Sequence, residues 1–126
     1  MKFIHIGLAA SSENKADSFF VDILELEKSV PKILNKNLSQ ALFGINNELV
    51  IINYRDENVH YEIIIYPQYK APDKQIAHSC IQINDLNKFV GKCKDAGLKI
   101  IEVTKDNGGV VTFVSDYDGN LFEVKG

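Results

Sequence analysis

The chain is poor in several features that would fix its class at once. It has only two cysteines, Cys80 and Cys93, among 126 residues. Both fall in patterned segments, and they read as two reduced thiols of a cytosolic protein rather than a disulfide. No apolar run reaches the ~18 residues that a membrane span needs. The opening MKFIHIGLAA lacks a cationic segment followed by a long apolar stretch, so no signal peptide is expected. There is no basic stripe: the formal charge is −3, and Lys92 and Lys94 read as the solvated face of a helix. Nucleic acid is therefore not an expected partner. Gly108-Gly109 has neither a G-x-x-x-x-G-K pattern nor a following helix, so it reads as a turn, and no site for an organic cofactor is expected.

What is present suits one globular domain. Apolar content is 45% and charged content 25%, and a chain of this length buries roughly two-thirds of its unfolded surface. Strands are expected over Lys2–Ala9, Val30–Leu34, Ser39–Ile45, Leu49–Tyr54 and Val59–Tyr66. A helix is expected over Glu13–Leu26, from the spacing of Ala16, Phe19, Phe20, Ile23 and Leu24 after Ser11 and Ser12. The stretch PQYKAPDK carries two prolines and reads as a linker. The order then repeats: strand Ile76–Ile83, a helix with stripe Leu86, Phe89, Val90 and Cys93 capped by Asn84 or Asp85 and stopped at Gly97, and strands Leu98–Val103, Val110–Val114 and Leu121–Lys125. Module 1 thus spans about 1–67, the linker 68–75 and module 2 about 76–126.

Two histidines and two glutamates sit at matching places in this repeat. His5 and His78 lie on the opening strands, and Glu62 and Glu123 on the closing strands. Strand side chains alternate between faces. Glu62 shares a face with His60, Ile64 and Tyr66, opposite Tyr61, Ile63 and Ile65, while Glu123 opposes Phe122 and Val124. A carboxylate between apolar neighbours is costly without a partner. Imidazole and carboxylate are ligands that zinc, nickel, cobalt and manganese accept, and two such half-sites facing each other could close on one ion. His60 reads as a surface group near the hairpin tip Arg55–Asn58. Tyr54, Tyr66 and Phe43 suit either cavity lining or core packing, and Asp116 and Asp118 read as braces of a turn.

The segments IHIGLA (Ile4–Ala9), YEIIIYP (Tyr61–Pro67), IAHSCIQINDLNKF (Ile76–Phe89) and FVSDYDGNLFEV (Phe113–Val124) resemble the vicinal oxygen chelate superfamily, which contains glyoxalase I, methylmalonyl-CoA epimerase and bleomycin-resistance proteins. The last segment is similar to that family's F-x-x-D-P-D-G-x-x-x-E ending, with Tyr117 at the proline position. The resemblance implies an α+β fold of two βαβββ modules whose mixed sheets curl around a shared cavity. It also implies a homodimer, or a pseudo-dimer within one chain. The family's metal positions match His5, Glu62, His78 and Glu123, for one divalent ion (Zn, Ni, Co, Mn or Fe). The implied activity is a lyase or isomerase like lactoylglutathione lyase, acting on a small oxygen-chelating substrate through an enediolate-like intermediate, with Glu123 the first choice of general base and Glu62 the second. Ala9-Ala10 and Tyr66 stand where glutathione-using relatives carry arginine and asparagine. The alternatives within the resemblance are a drug-sequestering protein of the bleomycin-resistance type and an iron dioxygenase.

Overall fold

The computed structural model describes residues 1–126 and divides into two compact units, Met1–Tyr69 and Lys70–Gly126. The division falls inside the proline-containing stretch Pro67–Lys74. No helix is long and apolar enough to cross a membrane.

In the first unit, strand β1 (Ile6–Ala10) leads into helix α1 (Glu13–Phe20). Ser12 caps the helix by accepting from the Lys15 amide at 3.2 Å. Short strands β2 (Glu27–Lys28) and β3 (Lys32–Leu34), helix α2 (Lys36–Phe43), and strands β4 (Leu49–Arg55) and β5 (His60–Ile65) follow. The sheet order is β1-β5-β4-β2, with β3 also on β4. Only the β1–β5 pairing is parallel. Between β4 and β5, Asp56 Oδ1 accepts from the Asn58 and Val59 amides and closes the expected hairpin tip.

The core of this unit is aromatic. Phe19 and Phe20 of α1 are buried, as are Ile52, Tyr54, Tyr61 and Ile63 of the sheet. Phe20 packs 5.1 Å from the Tyr54 ring and 5.3 Å from Tyr61, centroid to centroid. The Tyr54 hydroxyl donates to Asp17 Oδ1 at 2.7 Å. Burial, and then that bond, hold the phenol neutral far above its ordinary range. This satisfied hydroxyl makes Tyr54 a core residue rather than a cavity wall.

Three expectations are corrected here. Strand β1 begins at Ile6, so His5 stands just before it and not on it. Helix α1 ends at Phe20, not Leu26. Beyond it the Asp22 and Leu24 amides reach back five residues, to the carbonyls of Asp17 and Phe19, and Glu25 takes a left-handed φ of 59°. Ile23 and Leu26 are still buried, so the apolar stripe was real although the regular helix was shorter. The segment Ser39–Ile45 is not a strand, because most of it belongs to α2. Asn35 caps that helix through Oδ1 to the Leu38 amide at 2.9 Å, and Gly44 ends it at φ 70°, where a side chain would be strained.

The second unit runs β6 (His78–Gln82), α3 (Leu86–Asp95), β7 (Ile100–Thr104), β8 (Val110–Ser115) and β9 (Leu121–Lys125). Its sheet order is β6-β9-β8-β7, with β6 parallel to β9. Asp85 caps α3 by accepting from the Lys88 amide at 3.0 Å. Phe89, Val90 and Cys93 of α3 are buried, as are Thr112, Val114, Phe122 and Val124 of β8 and β9. The turn before β9 is built on Asp116, whose carboxylate accepts from the Asp118 and Asn120 amides and the Asn120 side chain. Burial pushes that carboxyl above its usual range despite these bonds. Asp116 supplies the side-chain brace expected of it, and Asp118 contributes its backbone amide. Both units therefore form mixed sheets of βαβββ type, the first enlarged by β3 and α2.

Candidate metal-binding half-sites

Parallel pairing places one histidine beside one glutamate in each unit. In the first, Gly7 pairs with Glu62, and His5 lies two residues earlier (7 − 5 = 2), on the same side. In the second, Cys80 pairs with Glu123, and His78 again lies two residues earlier (80 − 78 = 2). His5 Nε2 is 3.7 Å from Glu62 Oε1, and His78 Nε2 is 3.8 Å from Glu123 Oε2. The four side chains are between 20% and 36% exposed, sheltered yet reachable. The structure thus brings the four predicted residues together as two pairs, one in each unit.

These gaps are too long for hydrogen bonds. They suit two ligands of one ion, which stand roughly 3–4 Å apart when each bond is about 2.0–2.2 Å. His78 Nδ1 is 2.8 Å from the Ile76 carbonyl, which can only accept, so Nδ1 carries a proton and Nε2 is the nitrogen left to meet an ion. Phe113 holds the same ring edge-on at 5.1 Å. Nitrogen and carboxylate donors so disposed fit a divalent ion. Each half-site brings two ligands, and no group of three or more His, Cys, Asp or Glu side chains gathers to hold an ion.

His60 is nearer the chemistry than its place in the sequence suggests. Its ring lies 5.4 Å from that of His5, tilted by 58°. Its Nε2 donates to Asn53 Oδ1 at 2.6 Å. Partial burial, then the neighbouring His5 and Arg55, lower its pKa below the ordinary imidazole value. It is a contact of the first pair, not the isolated surface group expected.

A cavity of about 460 Å³ lies in the first unit, and His5 and Glu62 are among the residues that line it. Tyr66 and Phe43 line it, along with Ile45 and Tyr69, which sequence reasoning did not single out. The missed signal was the helix: Asn35 as its cap and Gly44 as its stop would have put Phe43 and Ile45 around the end of α2.

The second half-site has its own polar surround. Lys125 Nζ lies 3.4 Å from Glu123 Oε1. The exposed Cys80 thiol bonds the Glu123 carboxylate, and its pKa is raised by partial desolvation first and by that negative charge second. Cys93 is fully buried, which pushes its thiol up to about 11. A thiol reagent such as DTNB at pH 8 should therefore label Cys80 in the folded protein and Cys93 only on unfolding. Glu123→Gln should speed Cys80 labelling several-fold. An unchanged rate would separate the two side chains in solution.

Comparisons with known proteins bear on this geometry. A family model described as the glyoxalase/bleomycin resistance protein/dioxygenase superfamily matches residues 2–124. A search of curated proteins found no match. Among solved structures, the chain is similar to a glyoxalase family protein from Enterococcus faecalis, with TM-score 0.75, 18% identity, and coverage of 98% of this chain and 95% of that one. It is also similar to a mutant of the fosfomycin resistance protein FosX from Listeria monocytogenes, complexed with Mn(II) and 1S,2S-dihydroxypropylphosphonic acid. That match has TM-score 0.73, 17% identity, and coverage of 98% and 88%. At such identities the likeness speaks for the fold.

Proposed function

The chain belongs to the glyoxalase/bleomycin resistance protein/dioxygenase superfamily, and from that premise we propose that it is a metal-dependent lyase or isomerase of glyoxalase type, acting on a small substrate with two adjacent oxygens. The observation that carries this reading is the repeated pair: the same histidine–glutamate arrangement, at the same register offset, in both units. We read His5, Glu62, His78 and Glu123 as ligands of one ion. The two halves come from one chain or from two chains of a homodimer. Largely exposed Phe3, Val30 and Ile76 support such assembly. Two free thiols support a cytoplasmic setting.

A divalent ion held there would supply Lewis-acid polarisation of the two substrate oxygens, which acidifies the neighbouring C–H. His78 would offer Nε2 to the ion, because its Nδ1–H is committed to Ile76. Glu123 is the general base that takes the proton at a carboxylate oxygen, with Lys125 and the Cys80 thiol orienting it. Glu62 is the second choice for that role.

The test is calorimetric titration of metal-free protein with zinc, nickel, cobalt, manganese and iron, followed by a substrate panel of 2-oxoaldehyde thiol adducts and acyl-CoA esters. The expected result is saturable binding of one ion per four ligands and turnover that requires it. No heat of binding and no metal-dependent thermal shift would overturn the enzyme reading. That outcome would favour sequestration of a small compound, a role that the largely apolar cavity beside His5 and Glu62 would suit.

A further inference from the structure

The composition of the cavity wall discriminates between ligands. Its lining includes the small residues Gly7 and Ala9, and Gly7 leaves room: a Cβ added there would find its nearest neighbour, Ile64 Cδ1, 4.0 Å away. The side chains around it are aliphatic and aromatic, from Ile45 and Ile64 to Phe43 and Tyr69. No lysine or arginine borders the space, and its one fixed charge is the carboxylate of Glu62. An anionic group placed here would be desolvated against apolar walls and repelled by that carboxylate. A planar apolar group would bury its faces against the rings. The volume of about 460 Å³ is in the range of small-molecule pockets, roughly 300–1,000 Å³.

We propose that this cavity receives the uncharged aromatic or similarly bulky apolar part of the substrate, with the substrate's oxygens directed to the His5–Glu62 end. The inference rests on the functional reading above for the role of that end, but its own basis is the lining. It excludes from this cavity the phosphonate, phosphate and carboxylate groups of more polar substrates. Phe43 and Tyr69 set the specificity from the rim. Phe43 is 52% exposed at the end of α2, so it can be changed without opening the core.

Two vicinal diols separate the possibilities: 1-phenyl-1,2-ethanediol, which is neutral, and 1S,2S-dihydroxypropylphosphonic acid, which is anionic. Each is titrated into the full chain, metal-free and with zinc, while the methyl NMR signals of Ala9, Ile45 and Ile64 are followed. The phenyl diol should shift these methyls with a Kd at least tenfold lower than that of the phosphonate. Phe43→Ala and Tyr69→Ala should each weaken it at least fivefold without altering the zinc isotherm. Glu62→Gln should weaken zinc and leave the phenyl-diol shifts at Ile45 in place. If zinc fails to bind while the phenyl diol still shifts these methyls, the metal reading falls and the cavity assignment stands. The assignment is overturned if the phosphonate matches or exceeds the phenyl diol, if both rim variants bind the phenyl diol as the parent does, or if neither probe moves these methyls.

Discussion

Glu123→Gln should leave the fold intact and lower kcat by ~10²–10⁴-fold, the span that a positioned general base contributes. Glutamine matches glutamate in shape, and the strand around it is pinned by buried Phe122 and Val124. On the proposed reading, the change removes the proton acceptor and one anionic ligand together. Lys125 loses its ion-pair partner, but its side chain is 63% exposed, so little stability goes with it. The measurement is kcat at saturating metal, with Tm recorded for the same sample. A kcat within threefold of the parent and an unchanged Tm would remove Glu123 from the base role. Glu62→Gln then becomes the decisive variant. Because saturating metal is supplied, a loss of kcat is not a mere loss of the ion.

The largest effect on stability is expected at Phe20. Phe20→Ala should cost about 3–5 kcal/mol, against a total that for most domains is only about 5–15 kcal/mol. Phe20 is fully buried and meets three aromatic rings, Phe19 at 5.2 Å, Tyr54 at 5.1 Å and Tyr61 at 5.3 Å. Truncation leaves a void between α1 and the sheet that rigid rings fill poorly. Tyr61 is the neighbour of Glu62, so the same variant should loosen the first half-site. Urea unfolding gives the cost directly. A loss below about 1 kcal/mol would mean that the helix collapses onto the sheet without difficulty.

Much of this architecture was legible because alternation is a strong signal where one face is buried. Tyr61, Ile63, Phe122 and Val124 are buried, and the site residues between them face the other way. Helix α3 was equally plain, since Phe89, Val90 and Cys93 form a compact stripe after Asp85. Helix α2 was not. Leu38, Leu42 and Phe43 are all substantially exposed, so its apolar residues do not sort into a buried stripe. Its capping residues carried the information, and the run of Ala-Leu-Phe obscured it. The role of His60 was hidden for a different reason. Its contact with His5 joins the start of β5 to the residue just before β1, and no local pattern encodes the angle of one ring against another.

The shared offset in the two parallel pairings has a consequence for folding. Side chains on a strand change sides at every residue. If β5 slid by one position along β1, or β9 along β6, the carboxylate would turn inward beneath the helix and a buried ring would turn out to solvent. On the proposed metal reading, such misaligned molecules would lose ion affinity before they lost their secondary structure. Chelation by freshly refolded protein is therefore a sensitive gauge of correctly zipped strands, one that circular dichroism would miss.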